Sequence, residues 1–182
     1  MKNFNRRDFL KLTGLTALAL TFSACGSSAP SVPSQDAQSL FDAINAYRVD
    51  KGLNKFTYDT DLAAYAALNA ECFETQGKTT ISLETYGNWL TSRKEDYDAV
   101  YGKLLVKDIQ GSTCMPYGTT STETEMTLTA PCPATEEELQ TQLDAMAAKF
   151  GSVKKYYIGI ALATISGQPY WIAVVAEKLS ED

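Results

Sequence analysis

Histidine is absent from the 182-residue chain. Without imidazole there is no neutral side-chain base for pH 7, so His-ligated zinc, Ser-His-Asp and Cys-His catalysis are all excluded. Positive charge is scarce as well, with 16 Lys and Arg against 22 Asp and Glu. Four of those bases (Lys2, Arg6, Arg7, Lys11) and one acid (Asp8) fall within the first 24 residues, which leaves 12 against 21 in the remainder and a net charge of −9 there. Such a surface repels phosphate backbones, which argues against nucleic acid as a partner. Long hydrophobic runs are missing too. The uncharged, mostly apolar stretch from Leu12 to Phe22 has 11 residues, where a bilayer-spanning helix needs roughly 20.

What is present at the start reads as an export signal followed by an anchor. "NRRDFLK", Asn5–Lys11, resembles a twin-arginine signal with Arg6 and Arg7 as its pair. "TFSAC", Thr21–Cys25, resembles a lipobox, in which the cysteine carries a diacylglycerol thioether and becomes the first residue after cleavage. Two or three acyl chains there give stable membrane attachment, which one chain alone does not. Gly26–Gln35 is rich in Gly, Ser and Pro and has almost nothing to bury, as in a flexible tether. The expected organisation is a lipoprotein signal peptide over 1–24, a lipidated tether over 25–36 and one folded domain over 37–179. The last is long enough for a single core. The expected location is the cell envelope, outside the cytoplasm, on a membrane.

Lipidation of Cys25 leaves Cys72, Cys114 and Cys132. Export permits a disulfide, and the Thr-, Ser-, Gly- and Pro-rich segment 111–133 would profit from a staple, so Cys114–Cys132 is the expected pair. Cys72 falls inside a helical pattern and reads as a buried thiol.

Along the folded part, Leu40, Phe41, Ile44 and Tyr47 recur at helical spacing, with Gly52 suited to a left-handed stop. A second helix is capped by Asp59 or Thr60, carries Leu62, Tyr65, Ala66, Asn69 and Phe73 on one face and stops at Gly77. Tyr97, Val100, Tyr101, Leu104 and Leu105 outline a third, despite Gly102. "EMTLTA" alternates like a short strand. Thr135 and Glu138 stand at capping-box spacing before a stripe of Leu139, Leu143, Met146 and Phe150. Two β-branched and aromatic runs then flank Ser166-Gly167-Gln168-Pro169, a hairpin signal. Helices followed by an antiparallel hairpin predict an α+β domain.

The opening "INAYRVDKGLNKFTYDTDLAAYAALNAE" resembles bacterial members of the CAP (SCP-like) superfamily, the cysteine-rich secretory, antigen 5 and pathogenesis-related proteins. Asn45, Tyr47 and Arg48 match its N-x-Y-R. Gly52, Leu53, Phe56 and Asp59 match the following link, and Leu62, Ala63 and Ala66 match its alanine-rich helix. "TEEELQTQLDAM" and the closing hairpin resemble its far end, while 78–133 show no match. The resemblance implies an α-β-α sandwich with a small antiparallel sheet covered by helices, and a central cleft that usually carries two His and two Glu. Here Ser152 stands where one histidine is expected, and Glu84 and Asn88 in "ETYGN" stand for a G-E-N motif.

A cleft emptied in this way predicts a non-catalytic module with no cofactor or metal. It would bind a small apolar ligand or an envelope protein through Glu84, Tyr86, Asn88, Trp89 and Ser152, with Tyr97 and Tyr101 nearby. Aromatics at helical spacing also read as core. The alternative is a hydrolase using Cys72 or a carboxylate pair among Glu71, Glu74 and Glu84, although these acids read as solvated helix faces.

Overall fold

The computed structural model describes residues 36–106, 114–151 and 156–177. Four of the five described helices begin at a side-chain cap. Asp36 accepts the Ser39 N–H and starts α1 (Ala37–Asp50), and Lys51 ends it, with Gly52 at φ 68° turning the chain. After β1 (Thr57–Tyr58), Asp59 accepts the N–H groups of Asp61 and Leu62 to start α2 (Thr60–Gln76). Gly77 closes α2 in the left-handed region, where a side chain would be strained. β2 (Thr80–Ser82) leads directly into α3 (Leu83–Ser92) and α4 (Lys94–Val106), of which the sequence reading anticipated only α4. β3 (Cys114–Tyr117), β4 (Thr119–Ser121) and β5 (Glu125–Leu128) follow. The capping box of Thr135 and Glu138 opens α5 (Glu136–Lys149). β6 (Tyr156–Ile165) and β7 (Gln168–Glu177) close the fold.

The class is α+β. One sheet has the order β1-β6-β7-β3, with β1 parallel to β6 and the other pairs antiparallel; β2, β5 and β4 form a second. The β6–β7 turn is two residues rather than four. Ser166 and Gly167 both have positive φ, 53° and 82°, which matches the twist of the flanking strands.

β6 and β7 are buried on both faces, which is why each reads as a nearly continuous apolar run. Ala163, Ile165, Ile172, Val174 and Ala176 face a core built with Leu62, Ala66 and Phe73 of α2, Trp89 of α3 and Leu104 of α4. Ile158, Ile160, Trp171, Ala173 and Val175 face the opposite core, built with Leu40 and Ile44 of α1 and Leu139, Leu143 and Met146 of α5. Alternation along the strand divides these side chains between the two layers. Gly159 lets α2 lie against the sheet. A Cβ there would come within 1.9 Å of the Ala63 nitrogen and 2.1 Å of the Leu62 carbonyl carbon.

The outer edge of β6 carries two side-chain or loop attachments. Asp59 N–H donates to the Ile158 carbonyl, and further along the Glu74 carboxylate accepts the Thr164 N–H at 2.7 Å.

The expected Cys114–Cys132 disulfide does not fit this topology. Cys114 lies opposite Ala176, whereas the Cys132 N–H bonds to Pro169 O, seven positions back along the same strand. At about 3.3 Å per residue that separates the two by roughly 20 Å or more, against a Cα distance below about 7 Å for a bridge. Cys132 is instead a free thiol, 4% exposed.

Candidate functional site

The predicted binding residues do not converge. Ser82 accepts the Thr85 N–H and starts α3, which then turns Trp89 into the core, 7% exposed, and leaves Glu84 and Asn88 exposed. Tyr86 is half-buried. Its hydroxyl donates to Asn69 Oδ1 at 2.5 Å, and Asn69 Nδ2 donates in turn to the Tyr65 carbonyl at 2.7 Å. Tyr86 and Trp89 therefore join α3 to α2, the core role also open from the sequence. Ser152 lies outside the described residues, as do the export pair Arg6 and Arg7 and the lipidation site Cys25.

Beside this junction sits Cys72, with no exposed surface. Burial, aided by the charge of Glu71, pushes its thiol up to about 11. At pH 7 roughly one molecule in ten thousand would carry the thiolate. Burial also pushes Tyr86 far above the usual phenol range, with Cys72 and Tyr97 adding to the effect. Neither group is prepared to lose a proton. Outside the junction, Tyr97 stacks on Tyr101 with centroids 5.7 Å apart, and Tyr65 leans on Tyr97. All three rings are half-buried.

The carboxylates are occupied separately. Glu71 pairs with Arg93, Glu74 holds the Thr164 amide, and Glu84 faces solvent. Among the described residues no three His, Cys, Asp or Glu side chains gather where they could hold a metal ion.

The residues that match N-x-Y-R serve the fold. Asn45 makes two bonds to the Phe56 backbone, accepting its N–H at 2.8 Å and donating to its carbonyl at 3.0 Å. The Tyr47 hydroxyl donates to Asp144 of α5. Arg48, 1% exposed, spreads its guanidinium over the carbonyls of Asn54, Phe150 and Gly151 and lies 4.0 Å from the Phe56 ring centroid. Burial lowers its pKa, and the ring face and three carbonyls replace the lost water.

A recess that the sequence reading missed lies elsewhere. The α2–β2 turn (Gly77, Lys78, Thr79, Thr80) and the hairpin end (Ile165, Ser166, Gln168, Tyr170) enclose an open depression of about 480 Å³. Both walls rest on paired backbone: Leu128 N–H bonds to Thr79 O, and Tyr170 pairs with Ala163 and bridges to Pro131. Two turn signals, Gly77 and Ser166-Gly167, marked these loops in the sequence, but nothing local says that they meet. The arrangement offers hydroxyls, an amide, one ammonium and one aromatic ring. In comparisons with protein-family models, with curated proteins and with solved structures, none matches the chain.

Proposed function

We propose that the chain is a membrane-anchored, extracytoplasmic CAP-like domain with a degenerate cleft. It acts as a non-catalytic module that binds a small ligand or an envelope protein. The state of Cys72 carries this reading. The Cys72 thiol is fully buried in the helix-covered core, held protonated with a pKa of about 11, and has no imidazole to activate it. The CAP-like assignment is supported by helices on both faces of the β6–β7 hairpin and by Asn45, Tyr47 and Arg48 acting together as a structural unit. The anchor rests on the sequence around Cys25.

Purified full-length chain in detergent should show no turnover of ester, phosphoester or glycoside substrates. Turnover abolished by Cys72→Ser, or by Glu71→Gln or Glu84→Gln, would replace this reading with the hydrolase. The anchor is tested separately by fractionation. Cys25→Ala should leave the membrane pellet or remain unprocessed, and replacing Arg6 and Arg7 together by Lys should retain precursor inside the cell. Unchanged membrane association of Cys25→Ala would remove the anchor from the proposal.

A further inference from the structure

We infer that the recess between the α2–β2 turn and the β6–β7 hairpin binds an acidic saccharide, with Lys78 on its carboxylate and Tyr170 against a sugar face. This rests on the binding-module reading and names its ligand class. The volume of about 480 Å³ suits one or two sugar rings, since ligand pockets run from roughly 300 to 1,000 Å³.

The lining decides the chemistry. The Thr79 and Ser166 hydroxyls and the Gln168 amide both donate and accept, as sugar hydroxyls require, while the Thr80 hydroxyl is already bonded to that of Thr127 at 3.1 Å. Tyr170, half-buried, supplies the apolar surface that the C–H face of a sugar ring covers, with the core residue Ile165 behind it. An acyl chain would strand the polar groups without partners, so a lipid is the poorer fit. Lys78 is the single charged residue in a lining that holds no acid, although the whole chain is net −6. Among the described residues its ammonium has no carboxylate partner. The recess is therefore a local reversal of the surface charge, which favours a carboxylate over a cation. One lysine without arginine is a thin complement for a phosphate, which takes several charged donors.

The frame is built in advance of any ligand. Gly77 fixes one lip as the left-handed end of α2, and Ser166 and Gly167 fix the other as a two-residue turn. Binding then orders little backbone, which lowers its cost.

The test is calorimetric or amide-NMR titration of the full chain in detergent with three probes. These are the disaccharide of N-acetylglucosamine and N-acetylmuramic acid, acidic through its lactyl group; chitobiose as the neutral counterpart; and palmitate as the apolar one. The acidic disaccharide should bind saturably, more tightly than chitobiose, and more weakly as salt is added. Lys78→Gln should weaken it about threefold while leaving chitobiose unchanged, and Lys78→Gln with Gln168→Ala should abolish saturation. Both positions are exposed, so the variants should melt with the parent. Absence of saturable saccharide binding, equal affinity for the two disaccharides, binding that survives the double variant, or palmitate binding at the recess would each overturn the inference. Turnover in the hydrolase assays would instead overturn the non-catalytic reading and leave the saccharide result standing.

Discussion

Arg48 donates through Nη1 to the carbonyl of Phe150 at 2.7 Å, joining α1 to the end of α5 across 102 positions of sequence. The same guanidinium reaches Asn54 at 2.6 Å and Gly151 at 3.1 Å. Three carbonyls, of which that of Phe150 is bonded out of reach of solvent, share one planar donor. Lysine cannot reproduce that fork, because its ammonium is a point charge on a flexible stem.

Arg48→Lys should therefore lower the unfolding free energy by about 2 kcal/mol, and Arg48→Ala by about 3 kcal/mol or more. Urea denaturation at constant m-value is the measurement. A loss below about 0.5 kcal/mol in both variants would remove Arg48 as the tie between the helices.

Gly159→Ala tests how α2 sits on the sheet. Because the new Cβ would meet helix backbone at 1.9 Å, rotamer adjustment cannot relieve the clash and the helix itself must shift. We expect a loss of about 3 kcal/mol or more, or failure to fold. Gly102→Ala is the control: its Cβ meets nothing within 4 Å, and it should stabilise α4 by up to roughly 1 kcal/mol. Near-native stability for Gly159→Ala would contradict the close approach.

Tyr86 gives an alkaline signature. Its folded pKa lies above the unfolded value of about 10, raised first by burial. The stability linked to its neutral form is thus fully present below pH 10 and is lost as pH rises beyond. Absorbance titration should show one phenol that ionises only with unfolding. Tyr86→Phe should erase that component and cost about 1–3 kcal/mol, since Asn69 loses its hydroxyl donor. A Tyr86 that titrates normally in the folded state would be inconsistent with its placement.

Cys72 and Cys132 should resist thiol reagents together. Both are buried, at 0% and 4% exposure, and burial pushes both thiols up to about 11. In native buffer at pH 8, modification should follow the rate of unfolding, and both should label promptly in urea without reductant. Labelling of Cys132 only after reduction would restore the disulfide that the strand register excludes.

Much of the fold was legible because its signals are local. Asp59, Gly77, Thr135 with Glu138, and Ser166-Gly167 each determine a cap or turn within a few residues. α3 was not legible. "LETYGNWLTS" holds Gly87 and two threonines in only 10 residues, and it forms because Ser82 caps it and Trp89 finds a pocket in the core. The disulfide expectation failed for a related reason. Cys114 and Cys132 are close in sequence, but they reach opposite ends of β7 by different routes. The expected site had the same weakness: Glu84, Tyr86, Asn88 and Trp89 are neighbours in sequence, and the helix that carries them sends two toward solvent and two inward.

The Glu74 carboxylate on the Thr164 amide also bears on how copies of this molecule meet one another. A strand whose outward amides are open is a template on which a second chain can lay its own strand. Here β1 covers only Tyr157 and Ile158, and the amide farthest along the rim is already taken by a charged side chain from the adjoining helix. A second strand would have to displace that carboxylate and strand its charge beside its own carbonyls. The Glu74 contact therefore guards the hairpin end of this edge against pairing with a second strand.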